Sequence, residues 1–139
     1  MASASPARIY VDSSVLVAAF ATDDERRPKV SAWLPVVLDR LATSSLSEVE
    51  VIRALARRAT PPSLLADADE LLDQIWLLDV TTDIREAAIA VRPTILRSLD
   101  ALHVATAVQA GAEDFATFDQ RQGVAAEEMG LRLVSPALR

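Results

Sequence analysis

Acidic residues recur where short apolar runs of this chain end. Asp12 directly follows the β-prone run RIYV at residues 8–11, and Asp119 directly follows DFATF at residues 114–118. Asp100 stands among apolar residues at the beginning of a helical pattern. Because a charge is expensive to bury unless something compensates it, each acid either lies at a solvated edge or has a chemical role.

The chemistry that such acids can perform together is metal binding. Carboxylates that meet at one place repel each other and raise each other's pKa values unless a cation is present. Oxygen ligands at that density suit Mg²⁺ or Mn²⁺. Two such ions can activate water and stabilise the leaving oxygen at a phosphodiester, and this is our catalytic hypothesis.

Each acid also has an ordinary structural interpretation. Aspartate at a strand-to-helix junction is usually a helix cap, which is the simpler reading of Asp12 taken alone. Asp119 taken alone is more typical of a turn. The convergence of several acids carries more weight than any one of them, and it depends on the predicted fold.

Two glutamates compete for one place in this hypothesis. Glu48 and Glu50 are two residues apart on a predicted helix, so their side chains point about 200° apart and can hardly serve one site. Glu48 shares its face with apolar residues. Glu50 shares its face with Arg53 and Arg57, which suits either a metal ligand beside phosphate-binding guanidiniums or a solvated ladder of ion pairs.

The helix that follows Asp100 carries further polar residues at steps of three, namely His103, Thr106 and Gln109. This spacing predicts a polar stripe on an otherwise apolar helix, so Asp100 need not be buried. His103 is the only histidine, and the chain has no cysteine, which argues against a zinc site. We interpret His103 as a structural residue of the helix face, with hydrogen-bonded support of Asp100 as the alternative.

The elements that must position these residues alternate along the chain. Apolar β-prone runs occur at residues 8–11, 41–45, 76–80, 114–118 and 131–134, and helical patterns lie between them. This alternation predicts an α/β fold of right-handed βαβ units with a mostly parallel sheet, covered on both faces. Since ligands bind beyond the carboxyl ends of such strands, the acids are expected at one edge.

Several helix boundaries have local signals. Pro28 favours the start of a helix over residues 29–39, and Gly111 favours the end of the helix that carries Asp100. Thr82 or Asp83 is predicted to cap a helix over residues 83–91, with Glu86 in the position of a capping box.

Composition limits the other functions. The chain has 139 residues, 51% of them hydrophobic, no cysteine and three glycines, which indicates one domain without disulfides, thiolate sites or a glycine-rich phosphate loop. A formal charge of −6 argues against coating nucleic acid by bulk electrostatics. No signal peptide or apolar membrane span is evident, so we expect a cytoplasmic protein with a flexible tail at residues 1–7.

Four segments form a combined pattern: IYVDSSVLVAAF, SSLSEVEVIRAL, LRSLDALHVATA and FATFDQR. In this order and with this spacing they resemble the PIN-domain family, specifically the VapC-type toxins of bacterial toxin–antitoxin pairs. The resemblance covers nearly the whole chain. It implies a single PIN domain over residues 1–139, with an α/β/α sandwich around a mostly parallel sheet.

The resemblance also implies an activity and a site. The activity is metal-dependent endoribonuclease cleavage, which leaves 5′-phosphate and 3′-hydroxyl ends. The matching acids are Asp12, Glu50, Asp100 and Asp119. Asp12, Asp100 and Asp119 are expected to hold Mg²⁺ or Mn²⁺, with Glu50 completing the shell or orienting the attacking water. Ser13 and Thr117 stand in supporting positions of the matching motifs.

Partners follow from the same resemblance. RNA is the expected substrate, and Arg53 and Arg57 beside Glu50 are the expected RNA-binding residues. A cognate VapB-type antitoxin and a homodimer are further expectations. The alternative is a PIN-like module that has lost catalysis and only binds a partner.

Overall fold

Five short parallel strands form the centre of the computed structural model, which describes residues 8–136. The tail predicted for residues 1–7 lies outside the described residues. The strands are β1 (Ile9–Val11), β2 (Leu41–Ser44), β3 (Trp76–Leu78), β4 (Asp114–Ala116) and β5 (Arg132–Val134). Their order is β3-β2-β1-β4-β5, and all four pairings are parallel. The predicted sheet is therefore confirmed.

In the part of the chain that the structure describes, seven α-helices connect and cover the strands. They are α1 (Ser13–Phe20), α2 (Arg27–Val37), α3 (Ser45–Arg57), α4 (Pro62–Gln74), α5 (Thr82–Ile89), α6 (Ser98–Gln109) and α7 (Gln120–Glu128). A single 3₁₀ turn, Leu38–Arg40, leads from α2 into β2. The crossovers that parallel strands require are thus helical, as the alternating pattern predicts.

The sheet separates two apolar cores. Ile9 and Val11 of β1 pack with residues of α1 to α4 on one face, whereas Tyr10 packs with residues of α5, α6 and α7 on the other. Successive side chains of a strand point to opposite faces, so β1 serves both cores. This arrangement is the expected α/β/α sandwich, and it points Tyr10 toward α6.

Caps at the carboxyl end of the sheet fix where the helices begin. Asp12 caps α1, Ser44 caps α3 and Asp119 caps α7, each with a side-chain oxygen that accepts backbone N–H groups. The cap predicted for α5 is wrong. Thr81, in an extended conformation, accepts from the amide of Ile84 at 3.2 Å. The helix therefore begins at Thr82, and Thr81 is its cap in place of Thr82 or Asp83.

Strand β4 is shorter than predicted, because the sheet pairing ends at Ala116. The next two residues leave the sheet, and the Phe118 amide donates to Ser14 Oγ at 3.0 Å. At the far end of α6, Gly111 has φ 73°, a left-handed conformation that favours glycine as predicted. Within residues 8–136, no helix is long and apolar enough to cross a membrane.

Candidate active site

One cavity of about 580 Å³, which we call the acid cleft, is lined by Asp24 of a loop and by four further carboxylates from four different elements. Asp12 follows β1, Glu50 lies on α3, Asp100 lies in the first turn of α6, and Asp119 caps α7. The cleft lies beyond the carboxyl ends of β1 and β4, where ligands of parallel sheets bind. The structure therefore brings together the four acids named from the sequence.

Asp12 is the most buried of these acids, with 3% of its surface exposed. Its Oδ1 accepts from Ser14 Oγ at 2.6 Å and from the Ser14 amide at 3.0 Å, and its Oδ2 accepts from Thr117 Oγ1 at 2.7 Å. Burial raises the pKa of Asp12, while the hydrogen bonds from Ser14 and Thr117 oppose that rise. The Asp12 carboxylate therefore caps α1 and also lines the cleft.

The two residues predicted to support the acids differ in their contacts. Thr117 bonds directly to Asp12. Ser13 lines the acid cleft, but in the described part of the chain the serine that bonds to Asp12 is Ser14. The contact of Ser14 with Asp12 was not predicted, because the hydroxyl is positioned by the first turn of α1 and by the Phe118 amide.

Asp100 is half-buried at the opposite wall of the cleft. Burial raises the pKa of Asp100, and the negative charge of Asp119 raises it further. Gln122 Nε2 lies 3.5 Å from Asp100 Oδ1, a weak contact. No local pattern pointed to Gln122, a polar residue buried within α7.

The polar stripe predicted on α6 is buried at its centre. His103 and Thr106 are buried, with 2% and 0% of their surfaces exposed, because this face of α6 packs toward the sheet, whereas Gln109 is exposed. The alternative role considered for His103, hydrogen-bonded support of Asp100, is wrong. His103 Nε2 lies 2.7 Å from Glu50 Oε1, and Nδ1 lies 2.6 Å from the Tyr10 hydroxyl.

Arginines form the wall of the acid cleft that α3 supplies. Arg53, Arg57 and Arg58 all line it. Arg58 pairs with Asp23 at 3.4 Å, whereas no ion pair of Arg53 or Arg57 occurs among residues 8–136. Both side chains are exposed, so they are available to an anionic ligand.

The loop between α1 and α2 closes a further side of the cleft. Arg26 donates from Nε and from a terminal nitrogen to Asp24, at 3.0 and 2.9 Å, and this pairing lowers the pKa of Asp24. The Arg26 guanidinium also lies 4.0 Å from the centre of the Phe118 ring. This cation–π contact joins the loop to the segment that carries Asp119.

A second cavity, of about 930 Å³, adjoins the acid cleft. It shares Glu50, Asp100 and Asp119 with the cleft, and it adds Arg97 and Arg121 on the far side of the acids. Neither arginine was predicted from the sequence to lie at the site. The acids thus lie between two groups of basic residues.

The donor set of the cleft fits a hard divalent cation. Among residues 8–136, no three acidic or histidine side chains lie close enough together to hold one metal ion without moving. The side chains that line the cleft nevertheless offer carboxylate oxygens from four elements. Burial and then the charge of Asp119 raise the pKa of Asp100, and a cation would offset that charge. Oxygen donors of this kind suit Mg²⁺ or Mn²⁺.

Sequence comparison finds the PIN domain family over residues 9–128 of this chain. Ribonuclease VapC35 of Mycobacterium tuberculosis is 35% identical over 133 residues, which cover 92% of this chain and 96% of that protein. Ribonuclease VapC47 of the same organism is 34% identical over the same shares of the two chains.

Solved structures resemble this fold. The crystal structure of M. tuberculosis VapC20, described as a toxin that cleaves the sarcin–ricin loop, has a TM-score of 0.72 and 23% identity, and the match covers 84% of this chain and 94% of that one. DNA-bound VapBC of Salmonella typhimurium has a TM-score of 0.71 and 16% identity, with 94% and 98% covered. At these identities the two structures establish the fold alone.

Proposed function

This chain belongs to the PIN-domain family, and from that membership we propose that it is a metal-dependent endoribonuclease, the toxin of a VapBC-type toxin–antitoxin pair. The observation that carries the proposal is the acid cleft itself: four of its carboxylates come from four elements, and Arg53 and Arg57, which form no ion pair among residues 8–136, line the same cavity. Curated relatives named ribonuclease match nearly the whole chain.

We assign Asp12, Asp100 and Asp119 to the metal and Glu50 to the attacking water. When bound, a divalent metal lowers the pKa of a coordinated water and offsets charge on the phosphate. Mg²⁺ is our choice for the resident ion and Mn²⁺ the alternative, because the ligands are carboxylates rather than nitrogen or sulfur. Glu50 suits the water because its carboxylate is held by His103 and faces both cavities.

The reaction is hydrolysis of a phosphodiester. The water oxygen forms a bond to phosphorus, the bond from phosphorus to the 3′ oxygen breaks, and a proton ends on the leaving oxygen. The products are a 5′-phosphate and a 3′-hydroxyl. Glu50 accepts the proton of the attacking water. The buried hydrogen bonds from Ser14 and Thr117 keep the Asp12 carboxylate in place during the reaction.

Arg53 and Arg57 counter the net charge of the protein locally. The formal charge is −6, which repels RNA at long range. The two exposed guanidiniums lie beside the acids, where they contact phosphates that flank the scissile bond and hold the strand over Glu50.

A cognate VapB-type antitoxin and a second copy of the chain are the proposed protein partners. Support comes from the relatives, which are named as VapC proteins, and from a fold shared with structures of toxin–antitoxin complexes. We place the activity in the cytoplasm, where RNA is available, and we propose no membrane partner.

The test uses the antitoxin-free protein with total cellular RNA in Mg²⁺, Mn²⁺ or EDTA. The variant is Glu50→Gln, and the matched control is Glu48→Gln, an exposed glutamate of the same helix that does not line the cleft. We expect discrete cuts with wild type and Glu48→Gln in metal, far slower cutting with Glu50→Gln, and none in EDTA. Metal-independent cuts, or equal cutting by the two variants, would contradict the proposal.

A further inference from the structure

A hydrogen-bonded chain connects the interior of the protein to Glu50. The Ser44 amide donates to the Tyr10 hydroxyl at 3.1 Å. That hydroxyl lies 2.6 Å from His103 Nδ1, and His103 Nε2 lies 2.7 Å from Glu50 Oε1. Ser44 is also the cap of α3, so the chain starts and ends on the element that carries Glu50.

The two ends of this hydrogen-bonded chain determine which atom donates in each of its hydrogen bonds. A backbone amide can only donate, and an ionised carboxylate can only accept. The buried Tyr10 hydroxyl accepts from the Ser44 amide, so its own proton is donated to Nδ1. His103 then carries its own proton on Nε2 and donates it to Glu50.

Packing holds the two rings of the chain in place. The Tyr10 ring stacks on Phe115 with centres 5.3 Å apart and planes at 14°, and it meets the His103 ring edge-on at 5.9 Å and 64°. All three side chains are buried, with no more than 2% of their surfaces exposed. Tyr10 lies on the central strand β1, so the donor at Nε2 has little freedom to move.

Glu50 is the partly exposed end of this hydrogen-bonded chain. Its side chain is 28% exposed and lines both cavities, so without a partner its rotatable bonds would let it leave the reacting position. The helix that carries His103 also supplies Asp100, one turn earlier. One hydrogen bond therefore fixes Glu50 of α3 relative to the acid of α6.

We propose that His103 is a positioning residue that holds the Glu50 carboxylate in the cleft, with Tyr10 setting which ring nitrogen carries the proton. The inference rests on the proposed function, because it gives the site a rigid base for the attacking water. Misplacing a reacting group by about 1 Å can cost about 10²-fold in rate. We expect His103→Leu to lower kcat by about that factor with little change in KM.

The first test is a double-mutant cycle of His103→Leu and Glu50→Ala, measured as single-turnover rates on RNA. If His103 acts through Glu50, replacing it costs about 10²-fold in wild type and nearly nothing in Glu50→Ala. An equal cost in both backgrounds overturns the inference. The proposed function fails separately, if wild type has no metal-dependent activity or Glu50→Ala retains all of it.

A conservative variant separates positioning from packing. In His103→Gln, the amide offers one acceptor and one donor at the same end of the side chain, like the two ring nitrogens. We expect it to restore most of the activity that His103→Leu loses. Equal losses in the two variants, both folded by circular dichroism, would show that the hydrogen bonds are not the cause.

The second test needs neither activity nor metal. Since His103 is the only histidine, ¹⁵N NMR of the imidazole in untagged, metal-free protein reports on this ring alone. We expect a protonated Nε2 and an unprotonated Nδ1 in wild type, with the resonance of the unprotonated Nδ1 shifted in Tyr10→Phe, which removes its hydrogen-bond donor. A proton on Nδ1 in wild type, or the same spectrum in Tyr10→Phe, overturns the inference.

Discussion

Thr117 Oγ1 lies 2.7 Å from Asp12 Oδ2, although 105 positions separate the two residues in the chain. The parallel pairing of β1 with β4 brings them together, since Val11 lies opposite Ala116 in the register. The Thr117 oxygen also accepts from the Asp119 amide at 3.0 Å. One hydroxyl therefore joins the acid after β1 to the segment that carries the acid before α7.

Replacing this hydroxyl should destabilise the protein. In Thr117→Val, Asp12 Oδ2 loses its donor while it remains buried, which costs about 1–3 kcal/mol of unfolding free energy. Urea denaturation in EDTA at pH 7 measures that loss. Thr117→Ser keeps the hydroxyl and is the matched control. A valine variant as stable as wild type would show that the bond contributes nothing.

Much of the fold could be predicted from the sequence because each strand is a short apolar run between helical patterns. The runs at residues 8–11 and 41–45 contain β1 and β2, and alternation of strands with helices leaves few topologies besides a parallel sheet. Boundaries were less accurate. Thr81 rather than Thr82 caps α5, since neighbouring polar residues offer equivalent caps and backbone geometry selects one.

The site was predicted less completely than the fold. Periodicity placed His103 on one face of a helix, but it could not tell whether that face meets solvent or the sheet, so the partner Glu50 was missed. The choice of Glu50 over Glu48 depended on the family resemblance rather than on spacing. Arg97 and Arg121 are sequence neighbours of Asp100 and Asp119, but only the folded structure shows that they line a cavity with these acids.

Metal-free protein should become more stable when Asp100 is neutralised. Burial and the charge of Asp119 raise the pKa of Asp100, so the folded state holds this proton more tightly than the unfolded state does. The associated stability is complete below the unfolded pKa of about 3.9 and is lost as the pH rises through the raised folded pKa. Asp100→Asn should therefore melt a few degrees above wild type at pH 7 in EDTA.

The same pair of proteins should converge in acid. Below about pH 3.9 both side chains are uncharged, and the difference in melting temperature should disappear. Asp67→Asn, at an exposed position of α4, controls for the loss of one formal charge. If Asp100→Asn still melts at a higher temperature than wild type at the lowest pH, repulsion at Asp100 is not the cause of the difference.

RNA binding should depend on Arg53 and Arg57 through electrostatics. Each phosphate contact to a single strand contributes about 0.7 to the slope of log affinity against log salt. In an Asp100→Asn background, which prevents cleavage, Arg53→Gln with Arg57→Gln should reduce that slope by about 1.4. Fluorescence anisotropy across a salt series measures it. Arg40→Gln with Arg92→Gln, outside the cleft, should leave the slope unchanged, and equal slopes in the two pairs would exclude Arg53 and Arg57 from the interface.

Manganese binding should separate a nuclease from an interaction module that has lost its site. Wild type and Glu48→Gln are expected to bind Mn²⁺ alike in a calorimetric titration, because Glu48 is exposed and does not line the cleft. Asp100→Asn should bind it about tenfold more weakly or worse, since an anionic oxygen ligand is replaced by a neutral amide. Unchanged affinity in Asp100→Asn would remove that residue from the ligand set while leaving the nuclease possible. No Mn²⁺ binding by wild type would instead favour the interaction module, because the carboxylates of the cleft would then serve only as caps and as surface charge.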